Sequence, residues 1–287
     1  MNRLRRTRYS LLLAHYFLLL VFCLQAPFTS AQHIVAHRGA SHDAPENTLA
    51  AFRLAWQQGA DGVEGDFYLT IDGRVACIHD ADTQRVAGEK RIVAESTFAQ
   101  LRKLEVGSWK DERWRGEKIP SLEEVLATVP AGKKAIIELK VGPEIIAPMA
   151  KILTASGLQP EQIVIISFHS QTIAACEQQL PHLRSHWLTS YKQEKDGTWN
   201  PTAQKLTATL KQIKADGLGS RAVTEYFNNA LLKQLQNDGL KEFHIWTVDD
   251  PEVARKYQHL GTWGITTNRP GWLRQQLQLK PELQLQR

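Results

Sequence analysis

Cysteine is scarce in this 287-residue chain: three in all, at positions 23, 77 and 176. So few cannot build a disulfide framework, and a chain of this length has core enough to need none. Excess positive charge is scarce too, once its placement is considered. The formal net charge of +5 is 35 Lys and Arg against 30 Asp and Glu, but Arg3, Arg5, Arg6 and Arg8 lie in the first 31 residues, which hold no acid. Subtracting those four leaves 31 against 30, or +1. The clustered basic face of a nucleic-acid binder is therefore not expected. Linkers, low-complexity runs and signs of a second domain are absent as well. The apolar run from about Leu11 to Leu24 is broken by His15 and Tyr16 and falls short of the roughly 20 residues that span a bilayer. Preceded by arginines and followed by Thr29-Ser30-Ala31, it reads as a secretory signal. The mature chain is expected to begin at Gln32, periplasmic or secreted, without stable membrane insertion. Neither the twin-arginine route (Arg5-Arg6) nor the lipoprotein route (Cys23 after Phe22) is favoured. Cys77 and Cys176 then remain, and two buried thiols are expected.

What is present is concentrated between His33 and Asp80, where two histidines, two closely spaced carboxylates and an arginine end short apolar runs. Strand side chains repeat with period two, so Val35 and His37 share a face, and Glu64 and Asp66 point the same way. Two carboxylates on one strand face repel unless a cation lies between them, and a hard metal ion with oxygen ligands meets that need. Ile71-Asp72-Gly73 is too short for a parallel crossover, whereas Asp-Gly is a hairpin signal. The strand Arg74 to His79 should therefore run back antiparallel and return His79 toward Glu64 and Asp66.

The rest of the chain alternates strand and helix. Pro45 to Gln58 reads as a helix starting near Asp43 or Ala44 and ending at Gly59. Residues 81–120 show no strong period and read as an insertion over the mouth of the fold, with a short helix around Phe98 to Leu104. Ser121 caps the next helix, with Glu124 three residues on. Strands follow at Ala135 to Lys140, Ile163 to Phe168, Arg184 to Ser190, Asp216 to Ser220, Glu242 to Val248 and Trp263 to Thr267. Setting aside the hairpin return, eight strands remain. Eight strands alternating with helices predict a closed parallel (β/α)8 TIM barrel, with catalytic groups at the carboxyl ends of the strands. Glu138 and Lys140 share a face with Ile136 at such an end, where a third metal ligand and a phosphate-binding cation would be useful. A closing helix and a tail are expected from Gln275.

His37-Arg38-Gly39-Ala40-Ser41, Pro45-Glu46-Asn47-Thr48, Glu64-Gly65-Asp66 and Ile78-His79-Asp80, in this order and spacing, resemble the glycerophosphodiester phosphodiesterase family. Ile137-Glu138-Leu139-Lys140, Ser167-Phe168, Trp246-Thr247-Val248 and Gly264-Ile265-Thr266-Thr267 stand where that family carries its later strands. The resemblance implies metal-dependent hydrolysis of a glycerophosphodiester to sn-glycerol 3-phosphate and an alcohol. By that resemblance Glu64, Asp66 and Glu138 hold one divalent ion, Ca2+ or Mg2+, and His37 and His79 form the acid/base pair. The expected direction is His37 as base and His79 as acid. Arg38 and Lys140 would offset the charge of the phosphate, Arg38 through two parallel hydrogen bonds. Trp246 would wall the pocket or pack under the loops, and Phe168 likewise. Glu46 would orient a ligand or Arg38. Attack by water and attack by a substrate hydroxyl both stay open.

Three positions depart from the family pattern. Gly65 replaces a bulky aliphatic, which bears on pocket shape. Asn268 and His169 stand where Asp is usual, which bears on substrate preference. A second reading keeps the barrel and moves the substrate to a lysophospholipid or sphingolipid, as in related phospholipase D enzymes; it expects an apolar groove beside Trp109 and Trp114. Gly217-Leu218-Gly219-Ser220-Arg221-Ala222 mimics a dinucleotide fingerprint but lacks the strand before it and the helix after it. Ser41-His42-Asp43 cannot converge as a triad.

Overall fold

The computed structural model describes residues 32–278. The expected leader and cleavage site, and the tail after Gln278, lie outside the described residues. Among the described residues no helix is long and apolar enough to cross a membrane.

Eight parallel strands close on themselves: β1 (His33–Ala36), β2 (Gly62–Leu69), β4 (Lys134–Leu139), β5 (Ile163–Ser167), β6 (Arg184–Thr189), β9 (Gly217–Arg221), β10 (Glu242–Trp246) and β11 (Gly264–Thr267). Closure is made by β1, which pairs with β11 on one side and β2 on the other. β3 (Val75–Cys77) is the antiparallel return, in register Phe67 to Cys77, and Ile78 N donates to Asp66 O at 2.9 Å. That backbone bond brings His79 alongside the carboxyl end of β2. A small hairpin, β7 (Lys192–Gln193) with β8 (Trp199–Asn200), lies between β6 and β9 and carries no readable sequence period.

The main helices of the outer layer are α1 (Leu49–Gln57), α4 (Leu122–Leu126), α5 (Ile146–Ser156), α6 (Ser170–Gln179), α7 (Ala203–Ile213), α8 (Asn229–Asn237), α9 (Pro251–His259) and α10 (Pro270–Gln278). The short α2 (Gln84–Ala87) and α3 (Phe98–Leu101) belong to the segment 81–120. The outward residues of β2, Val63 and Phe67, pack with Phe52 and Ala55 of α1, and the outward residues of β4 with Ile146 and Met149 of α5. Phe52 is fully buried, and its truncation to Ala removes packing worth about 3–5 kcal/mol. Inside the barrel a smaller apolar layer of Val35, Ile136, Val164, Ile166 and Leu188 supports the mouth from below. Residues 81–120 have a core of their own, Val86, Val93, Leu101, Val106 and Ile119 against Ala76 and Ile78.

Ser121 and Glu124 form the expected reciprocal cap at α4. The first helix starts later than its sequence suggests. Thr48, not Asp43 or Ala44, is its cap, accepting from Ala51 N at 3.2 Å. The preceding Asn47 has φ +57°, which no helix continues through. Gly65 faces the helix layer: an added Cβ would meet Phe52 Cζ at 3.1 Å and Cys77 Sγ at 3.4 Å. Its departure from the family pattern therefore touches packing against α1 rather than pocket shape. Cys77 and Cys176 are both buried, and neither is bridged among the described residues.

Candidate active site

The carboxyl end of β1 passes into a tight turn in which Arg38 (φ +55°) and Gly39 (φ +79°) are left-handed. A side chain on Gly39 would come within 2.6 Å of the Ala51 backbone, so only glycine lets the turn rest on α1. The turn aims the Arg38 N–H at Glu64, which accepts it through Oε2 at 2.9 Å. Glu64, Asp66 and Glu138 meet, as their shared-face positions require, with one oxygen of each within 4.8 Å of the others. Glu64 and Asp66 are almost fully buried, at 2% and 1% exposure.

Charge is distributed unequally over the three. Burial raises the Asp66 carboxyl, but Lys140 and Arg38 outweigh it and hold the group below the usual carboxylate range. Lys140 Nζ lies 3.2 Å from Asp66 Oδ1 and 2.7 Å from Glu138 Oε1. Glu138 is nevertheless pushed up to about 7, by burial first and then by the charge of Asp66. Glu64 is driven well above its ordinary value by burial, Asp66 and Glu138, and its Oε1 is buried without a hydrogen-bond partner among the described residues. Two carboxyls made reluctant to ionise, one with an orphaned oxygen, are what a divalent cation would relieve. The all-oxygen donor set suits a hard ion.

Arg38 reaches Glu46 through Nη1 at 3.0 Å, and its Nε lies 3.3 Å from Asp66 Oδ2. Glu46 is thus in contact with Arg38, the residue it was expected to orient. The guanidinium is not the free two-pronged fork expected, because one amino group is already given to Glu46. Asn47 pins Asp66 from below: its Nδ2 donates to Asp66 Oδ2 at 2.8 Å and its Oδ1 accepts from Asp66 N at 3.2 Å.

The two histidines are held by different partners. His37 Nδ1 lies 2.8 Å from Asn268 Oδ1. Asn268 Nδ2 donates to Asp249 Oδ2 at 2.7 Å, which fixes the amide so that its oxygen faces His37. His37 Nδ1 must then carry the proton, and Nε2 keeps a free lone pair. Burial first, and then the Arg38 charge, lower the His37 pKa below its ordinary value of 6.5, so the ring is neutral. His79 Nδ1 instead meets the Asp80 carboxylate, at 2.7 Å. Asp80 Oδ2 in turn takes Arg85 Nε at 2.6 Å, and the two Arg85 amino groups reach both oxygens of Glu46 at 2.9 and 2.8 Å.

Arg85, Asp80, Asn47 and Asp249 are residues for which the sequence reading assigned no role. Arg85, Asn47 and Asp249 work through partners distant in sequence, Asp80 through the adjacent His79 and through Arg85 five residues on, and only the motifs around Asn47 and Asp80 offered a signal. Asn268 was noted for substrate preference, but it contacts His37 and is not among the residues lining the pocket. His169 is exposed at the start of α6 and its side chain makes no cap.

His37, Arg38, Glu64, His79, Glu138 and Lys140 line one side of a pocket of about 110 Å³, and Phe168, Leu188, His244, Trp246 and Thr266 the other. Phe168 and Trp246 meet edge to face at 5.3 Å, so both do wall the pocket. Neither Trp109 nor Trp114 lines it. A larger cleft of about 270 Å³ between α7 and α8 is lined by Lys211, Lys214, Lys241 and a single carboxylate, Asp238, and lacks the groups for acid/base work. Gly217-Leu218-Gly219 is β9 itself, which removes any dinucleotide loop.

Known proteins match along most of the chain. It is 31% identical over 246 residues to a glycerophosphodiester phosphodiesterase of Caldanaerobacter subterraneus subsp. tengcongensis, covering 83% of this chain and 94% of that one. It is 33% identical over 242 residues to one from Bacillus altitudinis, covering 83% and 94%. Among solved structures, an Oleispira antarctica phosphodiesterase in complex with the product sn-glycerol-3-phosphate superimposes with a TM-score of 0.76 at 26% identity, covering 85% of this chain and 96% of that one. Residues 37–272 match the profile of the Glycerophosphoryl diester phosphodiesterase family, and the chain belongs to that family of enzymes.

Proposed function

We propose that this enzyme hydrolyses glycerophosphodiesters to sn-glycerol 3-phosphate and an alcohol such as choline, ethanolamine or glycerol, with a single divalent cation, Ca2+ or Mg2+, held by Glu64, Asp66 and Glu138. The observation that carries this reading is the meeting of that buried carboxylate cluster with two oppositely partnered histidines in one pocket. The product in the Oleispira antarctica relative supports the substrate class.

The cation would supply Lewis-acid stabilisation of charge on the phosphoryl oxygens. The protein's own groups supply the rest. Lys140 and the remaining amino group of Arg38 offset the negative charge of the diester beside three acids. His37, neutral and tied to an uncharged amide, offers Nε2 as the base that takes a proton from the nucleophile. His79, tied to a carboxylate that Arg85 holds in place, is the group fitted to carry a proton and deliver it to the departing alkoxide. Arg85 links the two halves, because it also holds Glu46, which orients Arg38. The wall of Phe168 and Trp246 keeps the opposite side of the pocket apolar.

The lysophospholipid reading draws no support from the pocket, whose lining includes neither tryptophan of the expected acyl groove. The test is turnover of sn-glycero-3-phosphocholine coupled to oxidation of glycerol 3-phosphate. Product formation that stops with chelator and returns with Ca2+ or Mg2+ is expected. No product from any head group in either cation would refute the proposal.

A further inference from the structure

Below the pocket a hydrogen-bonded file runs through the barrel. His186 Nε2 meets Glu242 Oε1 at 2.8 Å, and His186 Nδ1 meets His244 Nδ1 at 3.0 Å. His186 is on β6 and the other two on β10, with β9 between them. β9 makes room by carrying glycine at the two positions beside these rings. A Cβ on Gly217 would come within 2.8 Å of His186, and one on Gly219 within 2.6 Å of His244 Nε2. The exposures of His186 and His244 are 0% and 3%.

The proton positions follow from the end of the file. Burial raises the Glu242 carboxyl, but the bond from His186 and the charge of Arg184 outweigh it, so Glu242 is ionised and can only accept. His186 Nε2 therefore carries a proton. The Nδ1–Nδ1 contact needs one proton, which either ring can supply. Burial first, and then His186, lower the His244 pKa well below its ordinary value, so that ring is neutral. Its Nε2 is buried and without a partner among the described residues, on a residue that lines the pocket. Such an atom calls for a hydrogen-bonding partner.

We propose that His244 Nε2 hydrogen-bonds a free hydroxyl of the substrate's glycerol moiety, which makes His244 a specificity-determining residue for polyol diesters. This rests on the glycerophosphodiester reading above. β10 is four strands round the barrel from β4, so His244 lies across the pocket from Glu138 and Lys140, which would hold the phosphate. A hydroxyl can donate or accept and so suits Nε2 in either tautomer, whereas a choline quaternary ammonium does neither, and every glycerophosphodiester carries glycerol hydroxyls.

The test compares sn-glycero-3-phosphocholine with methyl phosphocholine, which has no hydroxyl, in the metal-loaded enzyme. His244→Phe should raise KM for the glycerol diester about tenfold, with the larger part of the loss in KM rather than kcat, and hurt the methyl diester far less. His244→Gln, which keeps an acceptor, should recover part of that KM. Equal losses on both substrates, or no loss, would overturn the proposal. A measurement on the unsubstituted protein covers failure of a variant to fold: the 15N resonance of His244 Nε2 should move on adding sn-glycerol 3-phosphate and stay put with propyl phosphate. Equal responses, or none, would again overturn it. Wild-type enzyme inactive on every glycerophosphodiester would instead remove the substrate reading, and this inference with it.

Discussion

If the carboxylate cluster holds a cation, cation and protons compete for it, and the competition can be sized. Glu138 sits at about 7. At pH 6, one unit below, about ten of every eleven molecules without metal carry a proton there, which must leave for the ion to bind; at pH 8 about one in eleven does. Affinity for Ca2+ should therefore fall about tenfold between pH 8 and pH 6 from Glu138 alone, or about 1.4 kcal/mol. Glu64, also raised, steepens the fall. Asp66, held low by Lys140 and Arg38, is ionised throughout this window and adds nothing. The sign is the opposite of the usual paired carboxylate: a raised pKa destabilises the ionised form, and the cost appears as pH rises. The lowered pKa values of His37 and His244 work in the other direction on overall stability, but with and without metal alike, so binding isolates the cluster. Calorimetric titrations in two buffers of different ionisation enthalpy give both affinity and protons released. About one proton or more should be released at pH 6 and far less at pH 8. Glu138→Gln should weaken binding and flatten the slope. A pH-independent affinity with no proton release would refute the reasoning.

His37→Ala and His79→Ala should each abolish turnover while Ca2+ affinity stays within a few-fold of the parent; a fully active His79→Ala would refute the role assigned to it. Arg85→Met should lower kcat about 10- to 100-fold through loss of the ties to Asp80 and Glu46, while stability changes by no more than about 1 kcal/mol, because Arg85 is half-exposed and its pairs are screened. Wild-type kcat in that variant would dismiss the link. At saturating metal, the acid limb of the kcat/KM profile should lie below pH 6.5, since a base with a lowered pKa stays neutral to lower pH. Asn268→Asp, which sets a carboxyl beside His37, should move that limb to higher pH, and no movement would count against His37 as base.

The parts of this site that were legible in the sequence are those set by local geometry. Period two on β2 placed Glu64 and Asp66 together, the Asp72-Gly73 turn returned His79, and the strand count gave the barrel. Contacts that depend on where loops meet were not legible. Asn268 reaches His37 across 231 residues, and Arg85 reaches Glu46 across 39, both from positions where the sequence shows no strong period. The helix boundary at Thr48 was misplaced because Pro45 suits a first turn, while nothing local announces the left-handed Asn47. His244 belongs to no motif that the sequence displays. Its importance comes from Gly217 and Gly219, whose missing side chains make the space it occupies.

The decisive measurement is a crystal structure with Ca2+ and sn-glycerol 3-phosphate. One ion should be bound by oxygens of Glu64, Asp66 and Glu138, with the phosphate beside it and in reach of both His37 and His79. An ion bound elsewhere, or a phosphate out of reach of either imidazole, would contradict it.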